Sequence, residues 1–160
     1  ALNAFTGETG HGTDILTGEK GIRFSELAGT YKKNCGGFII VGDENYGEGS
    51  SREHAAMSPR LLGAKAVIAR SFARIHEANL KKQGILPFTF ANLLDYDRIG
   101  EDDRISLVGL EALNPHEAVR AMIQPKKGPG FEIALMHTLT DEQIKWFKAG
   151  SALNTVRRLT

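Results

Sequence analysis

The sequence predicts one mixed helix and strand domain, α/β or α+β in class, and three observations carry that expectation. Apolar runs suited to buried strands alternate with segments of helical spacing through the first half of the chain. The second half turns to shorter strand-like runs punctuated by glycine and proline. The whole is 160 residues long and 41% apolar, with no repeat or low-complexity tract, which fits one unit with a sizeable core.

The elements follow in order. Residues 1–21 are rich in glycine and threonine and show no clean period, so a loop with at most one short helical turn is expected. Apolar residues at 24, 27, 28 and 31 predict a helix from Phe24 to Asn34, leading into a strand from Gly37 to Val41. A glycine turn follows, then a helix from Ser51 to Leu62 that Pro59 should bend or divide, and a strand from Lys65 to Ala69. Ser71 to Lys82 reads as a helix closed by Gly84, and Leu86 to Phe90 as a third strand. Strands alternating with helices make parallel βαβ units, whose ligand sites lie beyond the carboxyl ends of the strands.

Beyond these, Arg104 to Val108, Val119 to Gln124 and Phe131 to Met136 read as strands, the last two joined in a hairpin through Lys126-Lys-Gly-Pro-Gly130. Thr140-Asp-Glu-Gln143 fits a capping box for a final helix burying Ile144, Phe147 and Leu153, with a break near Ala149-Gly150.

The turn Gly47-Glu-Gly-Ser-Ser-Arg-Glu-His54 carries the chemistry. Its glycines permit close backbone approach to a ligand. Ser50 or Ser51 can cap the following helix, leaving amide N–H groups for an anion. Arg52 adds a planar, bidentate donor for a carboxylate or phosphate. The same residues also describe an ordinary strand-to-helix turn with a capping serine. They match neither the familiar phosphate loops nor the Gly-x-Ser-x-Gly nucleophile elbow.

Composition excludes several functions. A net charge of +1 argues against an extended nucleic-acid surface, leaving Lys81-Lys82 and Arg157-Arg158 as small basic spots on solvated faces. The single cysteine, Cys35, forms no internal disulfide and is expected as a small buried filler. No long apolar span is present, which argues against membrane insertion. An iron–sulfur cluster needs several thiolates, and the five histidines show no ligand spacing, so no metal site is expected within this chain. His11, His116 and His137 read as surface or turn residues. His54 and His76 could face the site, against the alternative of a structural hydrogen bond.

Val41-Gly-Asp-Glu-Asn-Tyr-Gly-Glu-Gly-Ser-Ser-Arg-Glu-His-Ala-Ala56, Ser71-Phe-Ala-Arg-Ile-His-Glu77, Asn79-Leu-Lys-Lys-Gln-Gly84, Leu86-Pro87, Thr89-Phe90 and Gly150-Ser-Ala-Leu-Asn154 closely resemble the C-terminal swivelling domain of the aconitase family, mitochondrial type. The similarity runs through nearly the whole chain and is strongest from Gly36 to Phe90. It implies the family's swivelling β/β/α fold and a hydro-lyase reaction, citrate to isocitrate through cis-aconitate. By motif position, Ser50 would be the catalytic base, and Ser51 and Arg52 would bind a substrate carboxylate.

The resemblance also implies a 4Fe-4S cluster in the full enzyme, with its ligands in preceding domains that would be this domain's partners, and none bound by this chain alone. A start at Ala1 fits a piece of a longer enzyme. Two alternatives stand beside this reading: a separate small subunit of an isopropylmalate or homoaconitate dehydratase, or an aconitase-like RNA-binding regulator. The expected setting is intracellular: cytoplasmic in a prokaryote, the mitochondrial matrix in a eukaryote.

Overall fold

The computed structural model describes residues 1–49 and 53–157. A six-stranded mixed sheet organises them, in the order β3-β4-β5-β8-β7-β6. Strands β3 (Phe38–Gly42), β4 (Ala64–Ala69) and β5 (Leu86–Phe90) run parallel, linked by helices α2 (His54–Leu62) and α3 (Arg74–Lys82). Antiparallel β8 (Phe131–Met136) joins β5, and β7 (Val119–Gln124) and β6 (Arg104–Val108) extend the sheet outward. The βαβ units and the hairpin therefore form as the sequence predicts.

The sheet separates two cores. On one face Ile68 of β4 and Phe88 of β5 pack with Ile123, Leu135 and Ile144; on the other Val67 packs with Ala56 of α2 and Leu80 of α3. Side chains alternate across a strand, so neighbouring residues Val67 and Ile68 serve opposite cores. Strand β7 alternates buried and exposed residues along its length, leaving the β6-β7-β8 end of the sheet with one solvated face.

Several details depart from the sequence reading. The N-terminal segment forms two single i→i+4 turns, Gly7 N–H to the Asn3 carbonyl and Gly18 N–H to the Asp14 carbonyl, and adds a two-stranded ribbon the sequence reading did not foresee, β1 (His11–Gly12) with β2 (Ile22–Arg23). Cys35 is the exposed last residue of α1 (Phe24–Cys35), which runs one residue past its predicted end and turns it away from the core. Pro59 lies inside α2 without dividing it; lacking an N–H, it leaves one helical hydrogen bond unmade. Helix α3 starts at Arg74, because Ser71 to Ala73 remain extended for a different purpose.

The predicted capping box at Thr140 is present, with Thr140 accepting from the Gln143 backbone and the Gln143 side chain accepting in return. Gly150 ends α4 (Asp141–Ala149) in a left-handed conformation, φ 96°. The chain then starts a separate helix, α5 (Ala152–Arg157). Leu153, expected on the buried side, is 62% exposed because that break redirects its face, whereas Ile144 is buried and Phe147 packs against the larger core.

Candidate functional site

Strand β3 ends at Gly42, beside the carboxyl end of its parallel neighbour β4, which in turn pairs with β5. The loop that leaves it runs through residues 43–49 toward α2. Ser50, Ser51 and Arg52, the predicted base and carboxylate-binding residues, lie outside the described residues; α2 begins at His54 rather than at Ser51, and its N-cap position is Glu53, without a side-chain cap bond, rather than Ser50 or Ser51. What the structure defines is how both flanks of that turn are held.

The first flank is stitched to the segment after β4. Ser71 accepts two hydrogen bonds from the loop, its Oγ from the Asn45 N–H at 2.8 Å and its backbone carbonyl from the Tyr46 N–H at 2.9 Å. Ala73 N–H donates back to the Tyr46 carbonyl at 3.0 Å. These bonds account for the extended conformation of Ser71 to Ala73, which helix would have cost the loop. The Tyr46 ring contacts Phe72 edge-on at 5.9 Å and lies 5.4 Å from the His76 ring, and burial pushes its phenol above the ordinary value.

Gly47 is obligatory on two grounds. Its φ is +88°, and a Cβ there would lie 2.2 Å from Cγ of His76. Gly49, at φ +85° with open space around it, needs glycine for its backbone angle alone.

The second flank is Glu53, whose carboxylate accepts from Gln83 Nε2 at 2.9 Å just past the end of α3. Asp43, at the loop's start, pairs with Arg70 Nη1 at 3.6 Å. Arg70 also meets Asp97 at 3.2 Å and stacks on Tyr96, 4.5 Å from the ring centroid, so its guanidinium is fixed from three sides.

Next to the loop, Ser71, Glu77, Thr89, His137 and Thr138 help line a cavity of about 210 Å³ that Arg70 borders. Lys81, bonded to two of these lining residues, is buried rather than solvated: its Nζ lies 2.9 Å from Glu77 and 2.6 Å from Thr138 Oγ1, and Thr138 in turn donates to Glu77. His137 is likewise buried, not a surface residue. The Leu139 N–H donates to its Nδ1 at 3.2 Å, so the neutral ring carries its proton on Nε2, which has no partner. Burial holds its pKa below the ordinary value, reinforced by Lys81 and His116.

His54 is exposed at the start of α2. His76 is 4% exposed, and its Nδ1 is buried without a hydrogen bond, so the structural hydrogen bond considered for it is not made at that nitrogen. Among the described residues, no group of three or more His, Cys, Asp or Glu side chains converges as metal ligands. No described helix is long and apolar enough to cross a membrane.

Sequence reasoning missed the anchoring role of Ser71, the Arg70 stack and the buried Lys81 pair. Only the last had a local signal, an acidic and a basic residue four apart on one helix.

Comparison with known proteins adds an independent line. Residues 3–93 match the family described as the aconitase C-terminal domain. The chain is 54% identical over 158 residues to a probable mitochondrial aconitate hydratase of Dictyostelium discoideum, covering 98% of this chain and 20% of that protein. It is 49% identical, with the same coverage, to the mitochondrial aconitate hydratase of Saccharomyces cerevisiae. It thus spans about a fifth of the length of the curated relatives it matches. Among solved structures, 3-isopropylmalate dehydratase (leuD) from Methanocaldococcus jannaschii aligns with a TM-score of 0.60 and 30% identity, over 84% of this chain and 77% of that one.

Proposed function

The chain belongs to the aconitase C-terminal domain family, and from that premise we propose that it is the substrate-binding and catalytic-base domain of an aconitate hydratase, interconverting citrate and isocitrate through cis-aconitate. The observation that carries this reading is the turn after β3. Its described flank holds two left-handed glycines, is fixed by Ser71 and His76, and leads directly into Ser50-Ser51-Arg52.

The reaction removes a proton from carbon beside a carboxylate, which needs a base. Ser50 supplies it as an alkoxide, and Ser51 and Arg52 orient a substrate carboxylate. A serine hydroxyl is far too weakly acidic to serve in bulk water at neutral pH. Backbone N–H groups at the start of α2 and the Arg52 cation would lower the cost of its charge.

One exposed cysteine cannot ligate a 4Fe-4S cluster, so the cluster and its ligands belong to the remainder of a longer enzyme, whose domains are this domain's partners. Its similarity to mitochondrial aconitate hydratases favours the mitochondrial matrix as its compartment in a eukaryote.

A second reading, the small subunit of an isopropylmalate dehydratase, is favoured by one observation: the fold also matches most of the Methanocaldococcus chain. Substrate preference separates the two. The full-length enzyme carrying this domain, purified with its cluster intact, should turn over citrate and isocitrate but not 3-isopropylmalate. Preference for 3-isopropylmalate would transfer the assignment to the second reading, and turnover of none of the three would overturn both. The isolated chain should be inactive with cis-aconitate and retain no iron after chelation.

A further inference from the structure

We infer that His76 is a positioning residue for the Ser50 turn, its buried ring forming the seat on which Gly47 rests; this builds on the reading of Ser50 as the base. Three observations lead there.

First, the fit between Gly47 and the ring is closed. A Cβ on Gly47 would lie 2.2 Å from Cγ, 2.4 Å from Cβ and 2.4 Å from Cδ2 of His76, so the loop backbone passes directly over the imidazole with no room for a side chain. The ring also meets Tyr46, at 5.4 Å between centroids, and Tyr46 is itself held by the backbone bonds to Ser71 and Ala73.

Second, helix α3 controls both sides of the turn. His76 sits in its first turn and meets Gly47, while Gln83 at its C-terminal end binds Glu53 at 2.9 Å. Only five residues separate Gly47 from Glu53, and Ser50 is the middle one.

Third, His76 is poorly suited to be mere filler. Its Nδ1 is buried without a partner, a penalty that phenylalanine or leucine would avoid. Departures of this kind are expected where a residue serves a site rather than the core. Burial also depresses its pKa, so the ring stays neutral and compact beneath the loop near neutral pH.

The test uses the full-length, cluster-loaded enzyme. His76→Ala removes the seat and should lower kcat for isocitrate between about ten- and a hundredfold, the scale of misplacing a catalytic group, with KM changed less than about twofold. A purely structural role would lower the melting temperature and the yield of folded enzyme but leave kcat per cluster-loaded molecule intact.

The double variant is decisive. If His76 acts through Ser50, His76→Ala in a Ser50→Ala background should cause almost no further loss, because the group it positions is gone. Losses that multiply independently, or an unchanged kcat in His76→Ala, would overturn the inference while leaving Ser50 as the base. A Ser50→Ala enzyme with near-normal kcat would instead overturn the base assignment, and this inference with it. Should His76→Ala fail to fold, His76→Gln, which keeps most of the bulk but loses the flat ring, is subject to the same two comparisons.

Discussion

Lys81 Nζ lies 2.9 Å from Glu77 Oε1, one turn away on α3, and the lysine side chain is only 8% exposed. Thr138, from the segment after β8, bonds both partners and so ties α3 to the antiparallel half of the sheet. A charge taken out of water is tolerated only while its partner remains. Lys81→Ala should therefore destabilise the domain by about 3 kcal/mol, near the lower end for a buried pair because Glu77 keeps some solvent contact. Replacing both charges, as Lys81→Met with Glu77→Gln, should recover most of that loss, with urea unfolding as the measurement. Equal losses in the single and double variants would refute the pairing argument.

This pair marks where the sequence stops being legible. The βαβ order, the hairpin and the Thr140 cap could be read because each is written in local periodicity or local turn chemistry. Lys81 could not be read as buried, because what buries it is Thr138, which is distant in sequence and reaches α3 only once β8 has paired with β5. His137 was misplaced for the same reason, and Leu153 because a two-residue break at Gly150 and Ser151 resets the helical face. The glycines and serines of the turn were legible as a site. The residues that hold the turn, Ser71 and His76, were not, since their partners lie some 25 to 30 residues away in the chain.

Gly84 tests one of these distant contacts directly. It closes α3 at φ +70°, and a Cβ there would lie 2.2 Å from the Gly150 carbonyl oxygen, which also accepts from Arg60 Nη2 at 2.8 Å. Gly84→Ala must adopt a left-handed backbone and displace a bonded carbonyl. A loss of at least about 2 kcal/mol, or roughly 4–8 °C in Tm, is expected. Gly29→Ala provides the control: it lies inside α1 with open space around it and should be neutral or stabilising by up to about 1 kcal/mol. Calorimetry showing the same Tm for both variants would contradict the packing of α3 against the α4 terminus.

Burial holds His137 below the ordinary histidine value of 6.5, with repulsion from Lys81 and His116 acting in the same direction. The unfolded chain therefore takes up a proton as pH drops through that ordinary value, before the folded chain does. Stability contributed by the neutral ring is complete above 6.5 and declines as pH falls from there through the lower folded value. His76 shares the direction through burial alone. Urea midpoints at about pH 7.5 and about pH 5.5 should differ in the native protein and differ less in His137→Phe, which has no proton to gain. The same pH difference in both proteins would remove His137 from the account.

The proposed base and the proposed carboxylate binder make separable kinetic predictions in the full-length enzyme. Ser50→Ala removes only the group that takes the proton, an interaction made in the transition state. It should lower kcat by at least about 100-fold and change KM little. Arg52→Lys keeps the positive charge but loses the planar fork that engages both oxygens of a carboxylate. It should raise KM clearly, and lower kcat to a smaller extent through misorientation. Steady-state kinetics on citrate and isocitrate, with cluster content measured on each preparation, resolve the two. Near-normal kcat in Ser50→Ala removes the base role whatever happens to KM. An Arg52→Lys enzyme with unchanged KM and reduced kcat would move Arg52 from holding the substrate to stabilising the Ser50 alkoxide.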